Sequence, residues 1–277
     1  MYFSPECHAA YVALGFDPSP GSARGVALPD GPAYFTSRGS VMGQVPGHVV
    51  AAAFAVFNPA AVIPAVERGW ALTDAATICA VRTEGAVAQL TRILGPNPDG
   101  LQEVTILLAR ACNGLRAEGK PLYAGLMSLG LPGEPMADMW RLADCLREYR
   151  GDAHTAAWIA AGFDAVEIGL LTELYWGLPT RTYIRTRAWG EEDLHSATER
   201  LEARGYLAEG SLTESGLAAR EDVEVATDRQ CNRIVQALGE DLDSLITVLG
   251  DWGEAIRRSG GYPASGPHDL ARSEPRV

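Results

Sequence analysis

Apolar residues recur along most of the chain at spacings of three and four, which is the period of a helix that packs by one face. The clearest stripe consists of Leu101, Val104, Leu108, Ala111 and Leu115. It predicts an amphipathic helix over residues 101–118. Because nearly every stretch after Gly47 follows the same period, the pattern indicates a mainly α fold with minimal β-structure.

Capping and helix-breaking residues mark the ends of the other predicted helices. Asn58 and Pro59 end one helix and precede the next, and Thr73 or Asp74 is suited to cap a third. Gly151 separates two further helices. The predicted helices cover about 48–57, 60–69, 74–95, 135–150, 152–161 and 165–176.

The two ends of the chain lack a helical period. Residues 1–47 are rich in Gly, Pro and Ser, which predicts an irregular N-terminal arm rather than regular elements. Residues 262–277 have no apolar period, and we expect a flexible tail there.

The second half follows the element order of a winged helix. Pro179 opens a short helix, a second helix covers 191–204, and the turn AEGS joins Leu207 to Leu212. The chain then runs through L-T-E-S-G into a long helix. These motifs resemble the MarR-type winged helix, whose recognition helix ends in G-[YL]-[LI] and whose wing returns through L-T-x-x-G. The resemblance covers roughly residues 163–238 and implies a recognition helix at 191–204.

One spacing repeats between the two halves. Pro59 precedes Trp70 by 11 residues and Pro179 precedes Trp189 by 10, and an acidic helical turn follows each Trp. The repeat predicts a tandem, degenerate duplication, with a winged-helix-like domain at 48–151 and a MarR-like domain at 152–261. Such a chain would be a pseudo-dimer, and a homodimer of it stays open. Chance similarity between helical segments is the alternative interpretation.

The charge of the chain argues against nucleic acid as a partner. The 277 residues are 47% apolar and 21% charged, and the formal net charge is −12. A net negative charge repels polyphosphate and anionic lipid surfaces. We therefore expect nucleic acid to be an unlikely partner and membranes not to be one.

The predicted recognition helix is itself acidic. Its first turn is Glu191-Glu192-Asp193, where base readout needs Arg, Lys, Asn or Gln. The helix dipole alone favours acidic residues at this end, so they require no partner. The AEGS turn has no basic tip, and the nearby basic stripe consists of Arg181, Arg185 and Arg187. These features predict a winged-helix fold that has lost DNA readout.

No motif indicates a metal, a cofactor or a leader sequence. The five Cys and five His lack metal-ligand spacing, and there is no phosphate loop or nucleophile elbow. The first residues lack the basic and apolar regions of a signal peptide, and no apolar run is long enough to span a bilayer. We expect a cytoplasmic protein without cofactor or metal.

Two polar residues on apolar helical faces are the candidate chemistry. Glu167 shares a face with Phe163 and Leu170, and His154 shares a stripe with Trp158. If the two helices fold back on each other at residues 161–162, His154 and Glu167 come together. A His beside a buried carboxylate suits general acid–base catalysis near neutral pH. It suits a purely structural pair equally well.

Further motifs extend the resemblance to nearly the full length. They are Y-F-x-P-E at 2–6, the segment 34–38, F-N-P at 57–59 and L-R-E-x-R-G-D-x-H at 146–154. Together with the winged half they resemble an actinobacterial family labelled helix-turn-helix or MarR-like. The label implies a winged-helix core but no transferable chemistry. The ligand-binding candidates are Arg150, Asp152, Trp158, Asn58, Arg38 and Tyr183, with Arg150 suited to an anionic group.

Winged-helix dimers of this type often hold an apolar or phenolic ligand between their dimerisation helices and their DNA-binding lobe. The polar residues on core-facing stripes and the loss of DNA-facing cations predict an interior cavity between the two halves that binds a small apolar or aromatic metabolite. Whether the metabolite is also converted stays open. Isomerisation, epimerisation or elimination would use His154 as base and Glu167 as its orienter or as the acid. The alternatives are a MarR-type DNA-binding regulator and a scaffold that docks a protein through the acidic helix.

Overall fold

The computed structural model describes residues 2–23 and 25–261. Within them the helices are α1 (Pro5–Ala13), α2 (Gly31–Gly39), α3 (Gly47–Phe54), α4 (Pro59–Leu72), α5 (Ala75–Leu94), α6 (Leu101–Cys112), α7 (Pro121–Ser128), α8 (Pro135–Ala160), α9 (Ala165–Tyr175), α10 (Glu191–Ala203), α11 (Glu214–Leu238) and α12 (Leu242–Arg258). Three short 3₁₀ helices cover Ser40–Met42, Ile184–Arg187 and Gly239–Asp241. The predicted mainly α fold is confirmed. The tail predicted at 262–277 lies outside the described residues.

Two short antiparallel hairpins are the described β-structure. One pairs β1 (Ser22–Ala23) with β2 (Val26–Ala27), and the other pairs β3 (Leu207–Ala208) with β4 (Ser211–Leu212). Glu209 and Gly210 form the turn of the second hairpin, both with positive φ, which matches the right-handed twist of paired strands. The second hairpin corresponds to the turn predicted between Leu207 and Leu212.

The predicted irregular arm at 1–47 was wrong, because two helices lie in it. Ser4 Oγ accepts a hydrogen bond from the backbone N–H of Cys7 (3.1 Å) and caps α1. The Asp30 carboxylate caps α2 in the same way, through Ala33 N–H at 3.1 Å. Both helices have proline in their first turn, where its missing N–H is not needed. Residues that suggested loops are therefore helix-start signals.

Helix α8 is continuous, whereas two helices separated by Gly151 were predicted. A glycine inside a helix costs about 1 kcal/mol relative to alanine, and packing readily offsets this. Helix α8 packs against α5, α6, α7 and α11, which supports it along its length. The predicted domain boundary at 151/152 consequently falls inside one helix. Helix α6 also ends at Cys112, six residues before the predicted end, because Asn113 is extended and Gly114 has positive φ.

The core has two large apolar clusters that share α8. The first cluster includes Val62, Leu108 and Cys145, and helices α3 to α8 supply most of it. The second includes Trp158 and Leu194 and is built around α9 and α10. Helix α8 contributes Cys145 to one cluster and Trp158 to the other, so it connects the two halves. Helix α11 also packs against α6, α8 and α9.

The two tryptophans of the repeated spacing hold different positions. Trp70 lies inside α4, and its indole N–H donates to the Val45 carbonyl at 2.7 Å. Trp189 lies in the loop before α10. The tandem duplication stays a prediction.

Among the described residues, no single helix is long and apolar enough to cross a membrane. Helices α8 and α9 together meet the length and composition criteria as a pair bent by 107°. Both helices also contribute buried residues to the apolar clusters.

Candidate functional site

The N-terminal turn of α10 is acidic and neutralises two arginines that precede it. Glu191 accepts hydrogen bonds from Arg181 (2.6 Å) and from Arg185. All three side chains are about half exposed, so each pair contributes at most about 1 kcal/mol to stability. Their effect is on surface charge, because two of the three cations in the predicted basic stripe face a carboxylate.

The third arginine of that stripe, Arg187, lies between aromatic rings. Its guanidinium is 4.8 Å from the centroid of the Phe57 ring and 4.4 Å from that of Tyr183. In the part of the chain that the structure describes, the buried Nε atom of Arg187 has no hydrogen-bond partner. Tyr183, a predicted ligand-binding residue, therefore holds Arg187 against the segment between α3 and α4.

Asn58, another predicted ligand-binding residue, lies at the same junction. Its Oδ1 accepts from the N–H of Ala60 (2.9 Å) and caps α4, and its Nδ2 donates to the Ala188 carbonyl (3.1 Å). Nearby, the indole N–H of Trp189 donates to the Val56 carbonyl at 2.9 Å. The junction joins the loop before α10 to the loop before α4.

Glu167 is buried and has three polar partners of its own. Its carboxylate accepts from Arg200 Nε (3.0 Å), Arg204 Nη1 (3.3 Å) and the backbone N–H of Asp164 (3.0 Å). The bond to Asp164 belongs to a capping box at the start of α9. Glu167 thus joins α9 to α10. A buried carboxylate needs a partner for its charge, and Arg200 and Arg204 provide it.

His154 interacts with α11 instead. Its Nδ1 is 3.1 Å from Thr227 Oγ1 and 4.0 Å from Glu224 Oε1. Burial, together with the nearby cation of Arg220, lowers the pKa of His154 from 6.5 to about 4. Its imidazole is therefore neutral at pH 7. Arg150, the predicted anion holder, donates to the same Glu224 carboxylate at 2.8 Å.

His154 and Glu167 interact with different helices: His154 contacts α11, whereas Glu167 contacts α10. The His154 and Glu224 group continues through Arg220, whose Nη2 lies 3.4 Å from Thr172 Oγ1 on α9. Thr172 and Glu167 are five positions apart, about 140° around a helix, so they lie on nearly opposite faces. No hydrogen bond or ion pair joins His154 to Glu167. An acid–base role for the pair stays a prediction.

Asp152 anchors the start of α7 on α8. Its Oδ2 accepts from the backbone N–H groups of Leu122 (3.1 Å) and Tyr123 (3.0 Å). Burial raises the pKa of the carboxyl from 3.8 to about 6, although the two amides act in the opposite direction. The structure therefore uses this predicted ligand-binding residue to hold two helices together.

Arg38 and Trp158 are also engaged inside the fold. Arg38 donates two hydrogen bonds of 2.8 Å to Glu148 and lies over the Phe54 ring. Trp158 is 4% exposed within the second apolar cluster, and its Nε1 has no hydrogen-bond partner within residues 2–23 and 25–261. The predicted ligand-binding residues thus occupy several separate places in the fold.

Two clefts lie against the N-terminal half. One of about 980 Å³ runs between the 3₁₀ helix Ser40–Met42, α5 and α7. The other, of about 620 Å³, lies between the end of α6, α7 and α8. Arg141 and Gly130 line both clefts. A shallow cleft beside Glu167 is lined by Phe163, Arg200 and Arg204, and neither it nor the two larger clefts includes His154.

Two polar residues were missed in the sequence. Arg141 lies on α8 and is only 5% exposed, whereas charged side chains are usually exposed. Glu173 is fully buried and accepts from the backbone N–H groups of Arg181 (2.6 Å) and Ile184 (2.9 Å). The only available signal for Glu173 was its position in α9, which is apolar nearly all the way round.

No group of three His, Cys, Asp or Glu side chains within residues 2–23 and 25–261 is arranged to hold a metal ion. The polar clusters around Glu148, Glu167 and Glu224 consist instead of carboxylates and arginines.

The order of α9, the 3₁₀ helix, α10, a two-stranded hairpin and α11 is that of a helix-turn-helix protein. The family comparison agrees with this class: the model of a helix-turn-helix family matches residues 1–263, and the chain belongs to that family. Searches of curated proteins and of solved structures returned no match.

Proposed function

We propose that this protein keeps the helix-turn-helix fold, has lost DNA readout, and binds a small, largely apolar molecule. The observation that supports this proposal most is the pairing of Arg181 and Arg185 with Glu191 at the start of α10. A DNA-reading helix presents donors to base edges and free cations to phosphates. In this protein the same region presents carboxylates, and its nearest cations are already neutralised.

The hairpin after α10 supports the loss of DNA binding. Its strands are two residues long and its tip is Glu209-Gly210, so it offers no cation to a phosphate. The net charge of −12 adds long-range repulsion.

The clefts of the N-terminal half support the binding of a small molecule. Pockets for drug-sized ligands measure roughly 300–1,000 Å³, and both clefts fall in that range at about 980 Å³ and 620 Å³. Neither His154 nor Glu167 lines these two clefts, so the proposal rests on the clefts and not on acid–base chemistry.

A DNA-binding regulator is the second candidate, favoured by membership of a helix-turn-helix family. Fluorescence anisotropy with labelled duplexes from the protein's own genomic neighbourhood, at low and moderate salt, separates the candidates. We expect no saturable binding by the parent protein. Nanomolar binding with a steep salt dependence would overturn the proposal in favour of the regulator.

A variant provides the matched control for the DNA experiment. Glu191→Gln, Glu192→Gln and Asp193→Asn together remove three carboxylates and release Arg181 and Arg185. We expect weak, salt-sensitive duplex binding to appear in this variant. If it appears, the absence of binding by the parent protein is due to charge and not to a misfolded sample.

Small-molecule binding is tested by thermal unfolding in the presence of fractionated metabolite extract. A ligand that binds only the folded state raises Tm in proportion to its occupancy. We expect at least one fraction below the size of a peptide to raise Tm. The absence of a shift in every fraction would contradict the proposal.

A further inference from the structure

Arg141 differs from the other buried arginines of the described residues because it contacts no carboxylate. Arg82, Arg141 and Arg220 are 1%, 5% and 2% exposed, respectively. Arg82 pairs with Asp144 at 2.5 Å, and Arg220 pairs with Glu224 at 2.7 Å. Within residues 2–23 and 25–261, no acidic side chain lies within ion-pair distance of Arg141.

The hydrogen bonds of Arg141 leave part of its guanidinium unused. Nη1 donates to the Gly130 carbonyl at 3.2 Å, and Nη2 donates to Thr83 Oγ1 at 3.3 Å. Both acceptors are neutral, and both distances are long for N–H···O bonds. Nε is buried and has no hydrogen-bond partner among the described residues. A guanidinium has five donors in a fixed planar arrangement, so this side chain is under-satisfied.

A buried cation without a counter-ion is energetically unfavourable. Proteins usually place a carboxylate, or an equivalent anion, beside a buried guanidinium, as this chain does for Arg82 and Arg220. Binding an anion would give Arg141 the partner that the fold does not provide. A carboxylate fits best, because its two oxygens match the parallel N–H groups of arginine.

The cleft beside Arg141 is apolar. We call it the Arg141 cleft, and it is the cleft of about 620 Å³. Its lining includes Cys112, Tyr123, Leu126, Met127, Leu131 and Leu142. Met127 and Leu131 are 45% and 52% exposed, so the apolar surface continues to the mouth of the cleft. Side chains of this kind favour a hydrocarbon or aromatic body on the ligand.

We propose that the Arg141 cleft binds a small amphipathic carboxylate, with the carboxylate on the Arg141 guanidinium and the apolar body between α6, α7 and α8. This inference rests on the proposed function and adds the site and the chemical class of the ligand. Arg141 also lines the larger cleft, but Glu84 lies in the wall of that cleft, and its negative charge would oppose the binding of a carboxylate there.

Phenylbutyrate and phenylbutyramide are the probes for the test, because they share an apolar body and differ in charge. Their Kd values are measured by isothermal titration calorimetry on the full-length parent protein. We expect the carboxylate to bind about tenfold to a hundredfold more tightly than the amide, the range for a hydrogen bond to a charged group. Equal binding of the two probes would show that the cleft does not select for charge.

Three variants locate the binding. Arg141→Gln should abolish the preference for the carboxylate while it leaves amide binding nearly unchanged. Arg229→Gln removes the same charge from an exposed position on α11, and the preference should persist. Met127→Trp fills the mouth of the cleft without removing Arg141, and both probes should bind less tightly. If Arg141→Gln does not fold, the binding of both probes is measured on Met127→Trp and Arg141→Lys instead.

The outcomes separate this inference from the proposed function. A preference that persists in Arg141→Gln, or that is lost equally in Arg229→Gln, would place the site elsewhere. If neither probe binds at millimolar concentration while an extract fraction still raises Tm, the assignment of carboxylate binding to the Arg141 cleft is wrong and the proposed function stands. If neither probe binds and no extract fraction raises Tm, the inference about the Arg141 cleft and the proposed function are both contradicted.

Discussion

Arg38 and Glu148 are joined by two parallel hydrogen bonds of 2.8 Å, and the Glu148 side chain is only 1% exposed. Arg147 adds a third bond to the same carboxylate at 2.7 Å. The two arginines hold the pKa of Glu148 far below its usual value, although burial acts in the opposite direction. The pair links α2 to α8 through two residues that are 110 positions apart in the chain.

We expect Glu148→Gln to destabilise the protein by about 3–5 kcal/mol, because it leaves the Arg38 guanidinium buried without a counter-ion. Urea denaturation measures the change in the free energy of unfolding. Asp17→Asn is the control, since the pair of Asp17 and Arg68 is more than half exposed and should contribute less than about 1 kcal/mol. Equal effects of the two substitutions would show that the Glu148 pair contributes no more than a surface pair.

The helices with strong periodicity and clear caps could be predicted from the sequence. Asp74 caps α5 by accepting from the N–H of Thr77 at 2.8 Å, and α9 and α10 lie within two residues of their predicted bounds. Such signals are local, so no knowledge of tertiary contacts is needed. Helices α1 and α2 were missed because proline and serine indicate either a loop or a helix start. Only the tertiary contacts of the helix decide between the two.

The candidate site was harder to predict, because it depends on which side of a helix meets which neighbour. Helix α9 is buried on nearly every side, so its pattern could not show that Glu167 faces α10 while Thr172 faces α11. Arg141 gave no signal at all. Its importance comes from the absence of an acidic partner among the described residues, which only the folded arrangement reveals.

His154 and Glu167 should contribute independently to stability. Their partners differ, and residues without shared partners show additive effects within about 0.5 kcal/mol. His154→Asn, Glu167→Gln and the double variant form the thermodynamic cycle, measured by urea denaturation. A coupling energy above about 1 kcal/mol would contradict the separate environments and would restore the pair as one site.

Asp152 should make stability depend on pH in a defined direction. Because its pKa is raised from 3.8 to about 6, the folded state holds a proton that the unfolded state has already lost between these values. Its contribution therefore favours folding below about pH 4 and declines as pH rises to about 6. At pH 7 the ionised form lowers stability by the order of 3 kcal/mol relative to an unshifted carboxyl.

Asp152→Asn tests this dependence, because an amide oxygen can still accept from Leu122 and Tyr123. Relative to the parent protein, the variant should gain stability as pH rises from about 4 to 6.

His154→Gln is the control, for which a pH dependence of opposite sign is expected. The lowered pKa of His154 means that the parent loses stability as pH falls from 6.5 to about 4, and the variant does not. Denaturation curves at closely spaced pH values give both differences, and a flat difference for Asp152→Asn would contradict the raised pKa.

Gly216 sets the approach of α11 to the segment before β3. A Cβ atom at this position would lie 2.0 Å from the backbone oxygen of Tyr206, a distance that no real contact allows. The oxygen belongs to the main chain and also accepts a hydrogen bond from Thr213 N–H at 3.1 Å, so it cannot move aside without opening the hairpin. We expect Gly216→Ala to destabilise the protein by about 2–4 kcal/mol, in the range of strongly overpacked sites.

Gly250→Ala is the matched control inside α12. Nothing lies within 4 Å of a Cβ atom added there, and the better helix propensity of alanine should stabilise the protein by up to about 1 kcal/mol. Thermal and urea unfolding of both variants measure the difference, and a neutral Gly216→Ala would mean that the hairpin is not held against α11 at this point.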